Sequence, residues 1–397
     1  MRRQDPGPVK AERLIMVSAC AGAFLVVLDA TMVSVALPRI GASLGFTAES
    51  LPWVVNAYTL AFAAFLLPGG RLSDRIGLRR GYLVGLGLFT LARGAAGLAW
   101  SPTSLLAARA VQGLGAALLM PATLALLTTL IGDPARRARM LAGWSAVGAV
   151  GASLGPVIGG PLTQWLDWPA VFLITVPVGL AAMIVAARAL PTAQPVPTGP
   201  GRSAGWSILR LRQVSSGNLI MLLLGLGFLA SPVLLSLYLQ QVLGFTVLEA
   251  GLGFLPIGAA MFAGARLAGP LTVRLGPRSA TVISCLVGAV GFGLAAVMIT
   301  GRFPYLISVV LPGVLLGLGS AAAFTPITVA ATSGVPAGSG GLAAGLLNTV
   351  RQASGAIGLA VLARLSVAAG SEGPAFAVSG ICLAAAAVLA ALIMPRS

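Results

Sequence analysis

Twelve unbroken apolar runs, each close to the length of a bilayer-crossing helix, leave this chain almost no choice of environment. A helix needs about 20 apolar residues to cross about 30 Å of hydrocarbon. Such runs lie at 14–37, 51–69, 81–99, 103–131, 139–162, 169–188, 217–243, 250–268, 279–300, 304–332, 340–367 and 374–394. With 57% hydrophobic and only 9% charged residues, the chain has too little polar surface to cover a soluble globule. The runs do not alternate with a period of two, which excludes a β-barrel. The expected fold is an all-α membrane protein of twelve transmembrane helices.

The runs belong to a duplicated unit. Gly69 to Arg80 reads GGRLSDRIGLRR, and 199 residues later Ala268 to Ser279 reads AGPLTVRLGPRS. Gly269, Arg274, Gly276 and Arg278 therefore stand opposite Gly70, Arg75, Gly77 and Arg79. Leu44-Gly45-Phe46-Thr47 and Leu243-Gly244-Phe245-Thr246 share that offset, and two matches at one offset mark a repeat. The expected division is a six-helix half over 1–188, a cytoplasmic linker over 189–216 and a six-helix half over 217–397. The linker is too polar to hold further spans.

A formal net charge of +16 raises the question of nucleic acid. If the N-terminus is cytoplasmic, nineteen of the 25 basic residues fall on that side, including Arg2, Arg3, Arg202 and Arg396. Arg39, Arg93 and Arg302 fall on the other, and Arg109, Arg351 and Arg364 within spans. This is the positive-inside pattern of a multi-pass inner-membrane protein with both termini cytoplasmic. Attraction to anionic lipid accounts for the charge, and with no folded basic domain no nucleic-acid partner is expected. Cys20, Cys285 and Cys382 sit in apolar spans as small core residues, and the lack of His and of CxxC argues against a metal. Neither a nucleophile–base pair nor a phosphate loop is present, so no enzymatic activity and no catalytic residue is expected. The first run is too long for a signal peptide and is expected to stay as the first span.

Asp29 is the one acid among nine carboxylates expected within the hydrocarbon. A charge there costs at least about 2.5–3.5 kcal/mol, which makes such a residue a functional-site candidate; the alternative is an interfacial acid on an over-long run. Helical rise puts Asp29 about 22 Å from the inner end of its span and Arg109 about 9 Å in from the opposite side, at similar depth. Contact between them is not legible from sequence, and Arg109 could instead snorkel to the interface. Gly148, Gly151, Gly155-Pro156 and Gly159-Gly160-Pro161 make a smooth face in the fifth span that a neighbouring helix can approach closely.

These segments carry a family resemblance that covers most of the chain. GRLSDRIGLRR resembles the loop signature between the second and third spans of the major facilitator superfamily. Arg109-Ala-Val-Gln112-Gly113-Leu-Gly115 resembles its fourth-span motif, and Gly148 to Gly160 the fifth-span motif of its antiporters. LDATMVSVALP, Leu28 to Pro38, is similar to the first-span motif of drug:proton antiporters that usually have fourteen spans. Asn348-Thr-Val-Arg351-Gln352 and Leu237-Tyr-Leu-Gln-Gln-Val242 look like the same subgroup. The departures are Ser34 in the first-span motif, Val273 opposite Asp74 in the second loop, and the missing central pair of spans.

The resemblance implies alternating access between two rocking halves, driven by a proton gradient with no other cofactor, in a protein that works as a monomer. It implies that Asp29 carries the coupling proton, modulated by Arg109. Gly70, Asp74, Arg75, Gly77, Arg79, Arg274 and Gly276 would form conformational latches. Asn56, Tyr58, Gln112, Tyr238, Gln240, Gln241, Asn348, Arg351 and Gln352 would line the substrate cavity. Arg351 would either meet an anionic substrate group or serve packing alone. The expected function is proton-coupled export of amphipathic organic compounds such as drugs, antibiotics or secondary metabolites, with cationic and neutral substrates both open. The alternative, proton-coupled uptake of a small organic nutrient, calls for more polar central helices than these.

Overall fold

A computed structural model describes residues 8–131, 133–190, 210–301, 303–332, 335 and 340–394. Arg2, Arg3, Arg202, Arg302, Arg396 and most of the expected linker lie outside the described residues, as does the side chain of Asp74.

The first half contains α1 (Pro8–Leu44), α2 (Trp53–Ile76), α3 (Leu78–Gly97), α4 (Pro102–Leu130) and α5 (Pro134–Leu166). Its sixth rod is α6 (Pro169–Leu173) continued by α7 (Thr175–Ala189). In the second half, α8 (Arg212–Phe228) runs through α9 (Ser231–Leu237) into a π-helical turn at Tyr238–Val242. Next comes α10 (Val247–Gly253), followed by α11 (Leu255–Thr300). A π-helical turn at Leu306–Val310 opens α12 (Leu311–Thr332), and α13 (Gly340–Ala369) and α14 (Gly373–Ile393) end the bundle.

Among the described residues, nine stretches are long and apolar enough to cross a membrane. One of them, Val247–Thr300, is two rods in sequence, because the backbone breaks at Gly276 inside α11. The arginines and glycines of α3 and α5 dilute their apolarity, and these two complete twelve rods that follow the twelve runs. The ends shift by several residues: α1 reaches Leu44, and α5 begins at Pro134.

The duplication read in the sequence is also a backbone repeat. Gly77 has φ 93° and its counterpart Gly276 φ 76°; Gly45 and Gly244, in the two LGFT segments, have φ 74° and 69°. Side chains are strained in that region and glycine is not, so each unit turns its chain with glycine at the same two places. Thr246 accepts from the Glu249 amide while the Glu249 carboxylate accepts from the Thr246 amide, a reciprocal cap that starts α10.

Within the first half α4 packs on α2 and α3, and α1 on α5; in the second, α11 packs on α12 and α14, and α8 on α13 and α14. The halves meet through α5 against α10, α2 against α13 and α1 against α9. One apolar core runs from Val33 and Val54 of the first half to Leu224 and Phe292 of the second.

Candidate functional site

Asp29 lies on the inner face of α1 with no exposed surface, and two arginines from two other helices reach it. Arg109 of α4 donates from Nη1 to Asp29 Oδ2 over 2.7 Å, and Arg93 of α3 donates from Nη1 to Asp29 Oδ1. The snorkelling alternative for Arg109 does not hold, since its side chain has no exposed surface.

Arg93 corrects the sequence reading, which placed it on the outer surface. It is 1% exposed and is the acid's second partner. Its signal was present in the spacing: Tyr82, Leu86, Phe89, Arg93 and Ala96 recur every three or four residues on the buried face of α3. Counting charges near the end of a run assigned it to the interface, but helical phase turns it inward.

The rest of the cluster takes up most of the remaining donors of the two guanidiniums. Arg93 Nη2 donates to the carbonyl of Val171 over 2.7 Å, in α6 at the start of the sixth rod. Arg109 Nε donates to the Val54 carbonyl of α2 over 2.9 Å, and its Nη1 to Gln112 Oε1 over 2.7 Å. The Arg109 guanidinium stands 4.5 Å from the ring centre of Tyr58, and both arginines lie near the Phe172 ring. Four helices of one half and its sixth rod thus converge on a single carboxylate. Two positive charges face one negative charge, and Arg109 Nη2, Gln112 Nε2 and the Tyr58 hydroxyl are buried without a partner among the described residues.

The other expected residues fall into three places. Asn56 is buried at the floor of a cavity of about 240 Å³ between α2 and α13, whose rim carries Glu49 and Arg364. Gln240 crosses between the halves, donating from Nε2 to the Val35 carbonyl of α1 over 3.1 Å and to Ser236 Oγ over 2.9 Å, while Gln241 beside it is exposed. The π-helical turn supplies this reach by adding a residue to one helical turn. Tyr238 is buried, and Asn348, Arg351 and Gln352 are half-buried on one stretch of α13.

The glycines of α5 do what a smooth face allows. A Cβ on Gly155 would strike Thr31 of α1, one on Gly159 would sit 2.9 Å from the Met32 carbonyl, and one on Gly160 2.9 Å from the Val247 carbonyl of α10. Gly251 of α10 comes as close to Pro156, with 2.5 Å from its Cβ position to the Pro156 carbonyl. Gly151 touches Phe24 of α1, whereas Gly148 has open space around it.

In the loops, Arg79 Nη2 donates to the Ala187 carbonyl over 2.5 Å, and Arg278, its repeat counterpart, donates to the Ala391 carbonyl. Each closes the last turn of its half's final helix, where carbonyls lack helical partners and carry partial negative charge. Arg75 and Arg274 are exposed, and Gly70 faces Pro121.

Comparisons with known proteins show the family of the chain. The Major Facilitator Superfamily matches residues 19–359. The chain is 37% identical to the cephamycin export protein CmcT of Amycolatopsis lactamdurans, over 91% of this chain and 86% of that protein. It is 32% identical to the puromycin resistance protein pur8 of Streptomyces alboniger, over 92% and 84%. The first alignment runs over 419 positions, more than the 397 residues here, so that relative carries segments this chain lacks. The crystal structure of a D-xylose-proton symporter shares the fold, with a TM-score of 0.81 at 16% identity over 97% of this chain and 98% of the other. With the family matched from the first span to the eleventh, and relatives aligned over nine-tenths of its length, the chain belongs to the Major Facilitator Superfamily.

Proposed function

We propose that the protein is a proton-coupled antiporter that exports amphipathic organic compounds across the inner membrane by alternating access. The observation that carries this reading is the buried Asp29 held between Arg93 and Arg109. An exporter working against a gradient needs a titratable group whose protonation changes how the helices are held. Protonating Asp29 removes the one negative charge that two arginines share, which loosens α1 from α3 and α4; losing the proton restores the pairs. Relatives named for cephamycin export and puromycin resistance support the direction and the kind of cargo. The likeness to a sugar symporter is a likeness of fold alone.

In this reading the halves over 1–188 and 217–397 rock about their contacts, both termini are cytoplasmic, and one copy suffices. The loop residues Gly70, Asp74, Arg75, Gly77, Arg79, Arg274 and Gly276 bias which face is open. The test is a growth-inhibition panel of varied toxic compounds with and without the protein, followed by transport of each protective hit into inside-out vesicles with and without a proton gradient. Protection that persists when the gradient is collapsed, or accumulation of a nutrient in place of protection, overturns the proposal.

A further inference from the structure

Building on that exporter reading, we propose that the substrate site is an organic-anion site, in which Arg351 receives a carboxylate or similar oxyanion beside the amide of Asn348, one turn earlier on α13. Arg351 lies 11 residues beyond the start of α13, about 17 Å along the helix and so near half the bilayer thickness. At that depth a charge without a partner is costly and points to function.

Its surroundings lack the partners that the other buried arginines have. Arg93 and Arg79 donate to carbonyls of neighbouring helices, and Arg93 and Arg109 share Asp29. Arg351 has no carboxylate within 4 Å among the described residues, and its Nε is buried with no acceptor. The guanidinium instead stands 5.7 Å from the ring centre of Phe324, which pairs with Phe228 at 6.0 Å. Arg79, whose Nε is likewise buried without an acceptor, still gives its Nη2 to the Ala187 carbonyl, whereas no carbonyl or carboxylate takes a donor of Arg351 among the described residues. This one presents a planar fork, half-buried, beside an aromatic pair that suits an apolar body.

The helix phase and the charge balance lead to the same ligand. Gly345 lies against Leu67 of α2, and Asn348, three residues on, shares that face toward the other half; Arg351, about 60° further round the helix from Asn348, turns to Phe324 of its own half. The Asn348 amide is half-buried, and an amide N–H on the turn before a guanidinium can share an oxyanion with it. Among the described residues, Arg93, Arg109 and Arg351 stand inside the bundle with Asp29 as the acid there, which two of them already occupy. A cation entering between the halves meets an excess of positive charge, whereas an anion offsets it.

The test uses three probes that share one apolar body: 1-pyrenebutyrate, 1-pyrenebutanol and 1-pyrenebutylamine, an anion, a neutral compound and a cation at pH 7.5. Binding is measured on the purified full chain in detergent, with size-exclusion profile and circular dichroism checking the fold of each variant. A charge-assisted, two-point hydrogen bond should make the butyrate bind about tenfold tighter than the butanol, with the butylamine weakest. Arg351→Gln should collapse the butyrate-to-butanol preference toward unity. Should that variant not fold, Arg351→Lys keeps the charge, loses the fork, and should cut the preference several-fold. Butanol or butylamine binding as tightly as butyrate, or a preference unchanged in the variants, overturns the anion site. Proton-driven transport in proteoliposomes separates this from the exporter reading. Uphill movement of none of the three probes sinks export and leaves binding to decide the site, whereas movement of the amine or alcohol in preference to the acid sinks the anion site alone.

Discussion

Arg109 donates to Asp29 over 2.7 Å at a point where neither side chain has any exposed surface. With Arg93 on the other carboxylate oxygen, the acid is the one negative charge paired with two buried guanidiniums among the described residues. Removing one partner of a buried ion pair costs about 3–5 kcal/mol, because an unpaired charge stays behind.

Asp29→Asn should therefore lower the unfolding temperature of the purified protein markedly, besides abolishing uphill export. Adding Arg93→Gln removes one of the stranded charges, so the double variant should recover part of that loss. Thermal unfolding in detergent of the two single variants and the double decides this. A double variant whose loss is the sum of the single losses would falsify a shared cluster.

Gly251 and Gly148 set up a contrast along the glycine face. A Cβ at Gly251 would sit 2.5 Å from the Pro156 carbonyl across the two halves, whereas one at Gly148 meets nothing within 4 Å. Gly148→Ala should leave stability within about 0.5 kcal/mol of wild type. Gly251→Ala should push the halves apart at this end. A cysteine placed at the buried Val35 should then react faster with a maleimide in the Gly251→Ala background, and an unchanged rate removes the glycine contact as a seal.

Gly77 and Gly276 should resist substitution for a conformational reason. At φ 93° and ψ 144°, and φ 76° and ψ 159°, both occupy a region that is almost glycine-only. Gly77→Ala and Gly276→Ala should each cost about 1–3 kcal/mol in strain. Gly269→Ala, with open space at its Cβ, should cost far less. Equal unfolding temperatures for the three would exclude the backbone account.

Glu249, exposed and just ahead of the apolar run that begins at 250, gives a pH dependence. Its carboxylate accepts from the Thr246 amide over 2.8 Å and from the Thr246 hydroxyl over 2.9 Å, and these bonds hold its pKa below the usual value. A depressed folded-state pKa stabilises fully above the unfolded value, about 4.3 for glutamate, and the effect is lost as pH falls through the lower folded value. Amide exchange at the first turn of α10 should be slower in wild type than in Glu249→Gln at pH 7. That difference should shrink as pH falls through the lowered folded value; a difference that does not change with pH points to packing in place of the cap.

The sequence alone determined the membrane fold, the twelve rods, the duplicated loops and the depth of Asp29 and Arg109. Those properties follow from run length, repeat spacing and rise per residue, which are all one-dimensional. It also identified the glycine face of α5, because spacing of three and four residues places small side chains on one side of any helix. Tertiary structure alone decided which of these residues meet. Arg93 joined the acid because α3 turns that face inward; Tyr58 and Gln112 became supports of Arg109; Gln240 bridged to α1 through a π-helical turn; and Arg351 was left without an acid among the described residues. Hydropathy reports how deep a residue lies along the bilayer normal, but its direction around the helix and its neighbours are set by packing between rods far apart in the chain.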